Sequence, residues 1–278
     1  MKKIENGQII LYNGERLGGI GMFERTKYFI IDMDGTFYLG DGLIPGADEC
    51  VRRIVESGRD YFFFSNNSSH SIETVRARLE KIGFPVPREK VMLSSYVAAL
   101  TVKRDYPGKT VYLLGNRNLY DVFREMEVPL VQEDADIVML GFDTDLTYER
   151  IRKAAHMLAN GAVYMATHPD MNCPTPDGYI PDTGSMIELF AASTGRYPQV
   201  LGKPMTPTVD YLTETLSCTR GELAFVGDRM ETDIRIGTDH GIPSVLVLSG
   251  VTDEKTARES SIRPDLILPS MRELIRYL

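Results

Sequence analysis

Ile30-Ile31-Asp32-Met33-Asp34-Gly35-Thr36 is the stretch on which the fold turns. An apolar run, Tyr28-Phe29-Ile30-Ile31, stops at two aspartates one residue apart, and a glycine turn begins at once. A run this apolar on both faces reads as a strand buried in a parallel sheet. In open α/β sheets ligands gather at the carboxyl ends of strands, which places this acid pair at a site. Paired carboxylates there can hold a hard cation, and one can act as a nucleophile while the other moves protons. A calcium loop is excluded: its template wants Gly sixth and Glu twelfth, and counting from Asp32 those places hold Phe37 and Leu43.

Outward from this stretch the same grammar repeats. Strands are expected over Tyr61–Ser65, Val91–Leu93, Val111–Leu114, Ile137–Gly141, Val163–Thr167, Leu223–Val226 and Ser244–Leu248. Between them lie helices near Asp48–Ser57, Ile72–Ile82, Ser95–Lys103, Tyr148–Asn160, Ser185–Ser193 and Pro207–Leu216. Gly58, Gly83, Gly161 and Gly195 fall just past helix ends, where a left-handed residue is wanted. Alternating strands and helices predict an α/β fold around a parallel sheet. Before residue 27, Asn13-Gly14 between short apolar runs predicts a small hairpin of no assigned function.

At 278 residues the chain can form one large domain or two ordinary ones. A formal net charge of -8 argues against nucleic acid and anionic membrane surfaces as partners. Three scattered cysteines, Cys50, Cys173 and Cys218, with no CxxC pair, fit reduced thiols in the cytoplasm. No apolar run approaches the ~20 residues of a membrane span, and Glu5 and Asn6 come too early for a signal peptide.

Three further strand ends carry chemistry. Phe63-Phe64-Ser65-Asn66-Asn67-Ser68 stops in hydroxyl and amide groups, which serve equally well to hold phosphate oxygens or to cap the next helix. Leu201-Gly202-Lys203-Pro204 sets a lysine between Gly and Pro, where the proline restricts its backbone, and alone it reads as a solvated Lys. In Phe225-Val226-Gly227-Asp228-Arg229-Met230-Glu231-Thr232-Asp233 a strand again ends in Gly-Asp, with a second acid at a helix start. Asp233 also suits a helix N-terminus for purely electrostatic reasons.

In this order, the four signals resemble those of the haloacid dehalogenase-like (HAD) hydrolases. Ile44-Pro45-Gly46-Ala47 and Ala166-Thr167-His168-Pro169-Asp170 add a closer resemblance to the NagD-like, 4-nitrophenylphosphatase group. The likeness runs from about Lys27 to the C-terminus. It implies a Rossmann-like core, 27–94 and 190–278, an inserted α/β cap of C2 type, 95–189, and an N-terminal extension, 1–26. The implied activity is Mg²⁺-dependent hydrolysis of small phosphorylated metabolites through an aspartyl-phosphate. A phosphotransferase or mutase on the same scaffold, or an idle metabolite sensor, are the alternatives.

Carried over, Asp32 is the nucleophile and Asp34 the general acid/base. Mg²⁺ is held by Asp32, the Asp34 carbonyl and Asp228, with Asp233 in support. Ser65 and Lys203 bind the phosphoryl group and Asn66 orders the site. His168 and Asp170 are candidate substrate contacts in the cap, with the loop from Pro174 to Gly184. His168 departs from the group's usual Asn-Pro-Asp, and a packed histidine is the competing account. Relatives often form homodimers, so that assembly is left open.

Overall fold

The computed structural model describes residues 21–278 apart from Pro176, and the hairpin expected at Asn13-Gly14 lies outside the described residues. By contacts the chain divides into two units. The first gathers the residues up to Phe64 with Arg76–Val91 and Leu212–Leu278; the second gathers Ser65–Val75 and Met92–Tyr211.

The first unit is built on a six-stranded sheet. Its order is Leu266–Leu268, Ser244–Val247, Leu223–Gly227, Tyr28–Ile31, Asp60–Ser65 and Val91–Leu93. Tyr28–Ile31 pairs in parallel on both sides, with Ile31 opposite Val226 and Phe63. Phe29, Ile30 and Ile31 are buried, as are all of Leu223–Gly227, which is why these strands read as unbroken apolar runs rather than alternating ones. Phe37 packs its ring against Phe63 and Phe84, centroids 4.6 and 4.8 Å apart, anchoring the turn that follows Asp34.

The second unit has its own four-stranded sheet, in the order Gln199–Val200, Val163–Ala166, Ile137–Leu140 and Val111–Leu114, with every pair parallel. Leu114, Val138, Leu140, Tyr164 and Phe190 fill its core. Helices Arg117–Glu125, Tyr148–Ala159 and Thr183–Thr194 begin at Asn116, Thr147 and Asp182, whose side chains accept from the first-turn amides. Among the described residues no helix is long and apolar enough to cross a membrane.

Among the described residues each strand and helix expected from the sequence is present, with ends differing by at most a few residues. Gly58, Gly83, Gly161 and Gly195 all have positive φ, the property that marked them as helix stops. Helix Arg117–Glu125 was not anticipated, although Leu119, Val122 and Phe123 form its buried stripe. The Pro-rich stretch expected as a loop is mostly an antiparallel hairpin, Asn172–Thr175 against the exposed Gly178–Pro181. Its prolines hid it, because Pro cannot donate to a ladder and marks a strand only at an edge.

Candidate active site

In the first unit, the acid pair hangs on a tight turn at the end of Tyr28–Ile31. The Asp32 amide still donates to Val226, and then the amides of Thr36, Phe37 and Tyr38 all turn back to the Met33 carbonyl. Gly35, at φ +86°, makes this reversal, and a Cβ there would stand 2.5 Å from Asp228 Oδ2. The adjacent strand delivers Gly227-Asp228, and the next turn, Met230–Ile234, is a single π-helical turn. Such wide turns re-aim a side chain. Here Asp233 is swung back over Gly227, and its carboxylate accepts from the Arg229 amide at 3.1 Å.

Asp32, Asp228 and Asp233 thereby bring one carboxylate oxygen each to within 4.8 Å of one another. Asp228 is fully buried and Asp233 nearly so. Asp228 accepts from the Val251 amide at 2.6 Å and the Thr36 hydroxyl at 3.2 Å. Even so, burial first and the charge of Asp233 second push its carboxyl up to about 6. Three crowded carboxylates with only oxygen to offer fit a hard divalent cation, which would relieve that repulsion.

Asp34 is not in this trio. Its half-exposed carboxylate lies 3.8 Å from Arg78 Nη1. The same guanidinium stacks on the Tyr38 ring at 4.3 Å and donates to the Gly40 carbonyl at 2.9 Å. No sequence signal pointed to Arg78, which reads there as one more basic residue in the last turn of a helix.

The second unit holds the hydroxyl, amide and lysine signals. Asn66 clamps the Lys203 main chain from both sides, accepting from its amide at 2.9 Å and donating to its carbonyl at 3.0 Å. The same amide group donates to Asp170 at 2.8 Å. Lys203 is 2 % exposed, far from the solvated lysine that its sequence context alone suggested. Ser65 accepts from the Asn67 amide. The helix-capping alternative for Ser65–Ser68 falls away: Ser71, whose hydroxyl accepts from the Thr74 amide, does the capping.

His168 is buried and uses both ring nitrogens. Nε2 meets Asp182 at 2.9 Å and Nδ1 meets the Thr167 hydroxyl at 2.8 Å. Burial alone would raise the Asp182 carboxyl. The charge and hydrogen bond of His168, with two donors from Thr183, outweigh that and hold it below the usual carboxylate range. Asp182 was not singled out in the sequence because it sits inside the proline-rich stretch. Gly202 packs into this corner, where a Cβ would stand 2.5 Å from the Thr167 carbonyl and 3.1 Å from His168 Cβ.

Known proteins resemble this chain over nearly its whole length. The family of haloacid dehalogenase-like hydrolases matches residues 29–129, and a related HAD family matches 200–274. An acid sugar phosphatase of Staphylococcus saprophyticus is 30% identical over 91% of this chain and 98% of its own length. A 5'-nucleotidase of Bacillus subtilis is 31% identical, again over 91% and 98%. The crystal structure of a 4-nitrophenylphosphatase from Thermotoga maritima superposes with a TM-score of 0.88 at 38% identity, covering 92% of this chain and 98% of that one. Carboxylates at the ends of neighbouring parallel strands, together with this likeness over nearly the whole length, settle the family: the chain belongs to the HAD-like hydrolases, in the NagD-like 4-nitrophenylphosphatase group, and is an enzyme acting on phosphoric ester bonds.

Proposed function

We propose that the enzyme is a Mg²⁺-dependent phosphomonoesterase of small phosphorylated metabolites in the cytoplasm, working through an aspartyl-phosphate on Asp32. The observation that carries this reading is the convergence of Asp32, Asp228 and Asp233. One Asp32 oxygen attacks phosphorus as the leaving alkoxide takes a proton from Asp34. Water then attacks the aspartyl-phosphate, giving its proton back to Asp34 and restoring the Asp32 carboxylate. Bound Mg²⁺ supplies charge neutralisation for the carboxylates and the phosphoryl oxygens, held by Asp32, the Asp34 carbonyl and Asp228, with Asp233 in support.

Ser65 and Lys203 bind the phosphoryl group, and Asn66 holds the lysine's backbone in place. Residues 95–189 act as the cap, where Asp170 and the loop from Pro174 to Gly184 set which metabolite fits, while His168, fully buried with both ring nitrogens bonded, takes the part of a packed histidine. Relatives bear the names of a sugar phosphatase and a nucleotidase, so the phosphoryl group is the shared element and the rest of the substrate is this chain's own choice. The resemblance leaves room for a homodimer. A panel of phosphorylated metabolites and 4-nitrophenyl phosphate, assayed for inorganic phosphate with Mg²⁺ present, tests the whole. Transfer of the phosphoryl group to added alcohols in preference to water overturns it.

Asp34→Asn lowers turnover of alkyl phosphates by about 10²–10⁴-fold, the usual worth of a general acid. The loss on 4-nitrophenyl phosphate is much smaller, because nitrophenolate leaves without a proton. Equal losses on both substrate kinds would assign Asp34 to geometry alone.

The proton on Asp228 gives a second expectation. Its folded value, about 6, lies above that of a free carboxyl. The metal-free fold therefore loses stability as pH rises from about 4 to about 6. A cation must displace that proton, so its affinity weakens as pH falls through 6. Calorimetry in buffers of different ionisation enthalpy reads the proton release directly: release near pH 6 and none near pH 8 is expected.

A further inference from the structure

The turn after strand Ser244–Val247 belongs to none of the four signals, yet it touches two of them. Its first residues leave the sheet with the Leu248 amide still bonded to the Leu268 carbonyl. Ser249 Oγ then donates to the Gly35 carbonyl at 2.8 Å, gripping the loop that carries Asp32 and Asp34. Two residues on, the Val251 amide donates to Asp228 Oδ2 at 2.6 Å, and the Thr252 amide to the Asp228 main-chain carbonyl at 3.2 Å. Between these grips sits Gly250, where a Cβ would come 2.0 Å from Asp228 Oδ2. A Cβ on Gly35 would stand 2.9 Å from Gly250 Cα, so the two loops meet backbone to backbone.

We propose that Ser249-Gly250-Val251 is a brace that sets the separation between the Asp32–Asp34 loop and Asp228, with Ser249 as a positioning residue for the divalent cation. Asp228 has a like-charged neighbour and no solvent to soften the repulsion. Without a fixed donor it would rotate away from Asp32 in the metal-free protein, and the cation would have to recover that order on binding. The Val251 amide holds the carboxylate, and the Ser249 hydroxyl holds the opposite loop to the same short turn. The side chain of Val251 is half exposed, and its backbone alone carries the bond. Partners of this outer kind are commonly worth 10–100-fold in metal affinity.

The inference rests on the reading that a divalent cation sits among these carboxylates, and its test separates the two. Mg²⁺ is titrated calorimetrically into metal-stripped wild type, Ser249→Ala, Ser249→Thr and Val251→Pro, with melting temperatures taken in chelator. Ser249→Ala is expected to weaken Mg²⁺ by about tenfold with little change in melting temperature, and Ser249→Thr, which keeps the hydroxyl, to restore most of it. Val251→Pro removes the amide donor itself and is expected to weaken Mg²⁺ at least as much. KM for 4-nitrophenyl phosphate at saturating Mg²⁺ is expected to stay near the wild-type value in Ser249→Ala, because excess cation offsets the weakened site.

Mg²⁺ affinity within twofold of wild type in both Ser249→Ala and Val251→Pro overturns the brace while leaving the functional reading intact. A lower melting temperature with unchanged Mg²⁺ affinity does the same, showing a turn that serves the fold alone. Wild type that binds no Mg²⁺ and releases no phosphate overturns the functional reading and the brace with it.

Discussion

Asp32→Asn removes turnover by on the order of 10³–10⁶-fold, the range found when a covalent nucleophile is replaced, and leaves the fold standing. An amide matches the carboxylate in shape but is a poor nucleophile and brings no negative charge to a cation. Thermal melting supplies the second half of the expectation. Asp32 is part-buried beside the buried Asp228 and Asp233, with one carboxylate oxygen of each within 4.8 Å of the others, so deleting one charge lowers the repulsion. In chelator the variant therefore melts at or above the wild-type temperature, although it is inactive. Phosphate release by the purified variant above a few per cent of wild type would remove Asp32 from the role of nucleophile. A variant inactive because it has unfolded would melt well below wild type.

Gly227→Ala is the other change with a large effect, and it acts with no change of charge. A Cβ on Gly227 would lie 2.2 Å from Asp233 Cβ and 2.3 Å from its Cγ, distances no pair of carbons tolerates. The π-helical turn must open or the strand must shift, and either moves Asp233 away from Asp32 and Asp228. Overpacking of this kind costs about 1–3 kcal/mol. The expected damage to turnover is greater, 10²-fold or more, because a misplacement of about 1 Å at a reacting centre already costs that much. Gly42→Ala, where a Cβ meets nothing within 4 Å, is the matched control. Parallel losses in the two variants would show that a general sensitivity to glycine replacement, not the contact with Asp233, is responsible.

How much of this was legible beforehand follows from what a sequence encodes locally. The strand ends bearing Asp32, Ser65 and Asp228 could be found because buried parallel strands are continuous apolar runs and the chemistry begins where they stop. Helix stops could be found because a left-handed residue favours glycine. The contacts of Arg78 with Asp34 and Tyr38 could not, since nothing in the sequence distinguishes that arginine from a solvated one. The partnership of His168 with Asp182 was hidden for a different reason. A buried His–Asp contact depends on two backbones converging, and no period in the sequence reports that. Gly250 resembles any loop glycine until Asp228 Oδ2 is found where its side chain would be.

The position of Tyr28–Ile31 in its sheet bears on how the chain is made. This strand sits between Asp60–Ser65, which follows closely, and Leu223–Gly227, which lies about 190 residues further on. A ribosome adding about 5–20 residues per second needs roughly 10–40 s to supply that second neighbour. Throughout that interval one edge of Tyr28–Ile31, among the most apolar strands of the fold, has no native partner. Pairings across such long separations also form slowly once both strands exist. The nascent chain thus exposes a sticky β edge until Leu223–Gly227 emerges, which makes the early strand the place where a holding chaperone has most to protect and where truncated chains are most prone to aggregate.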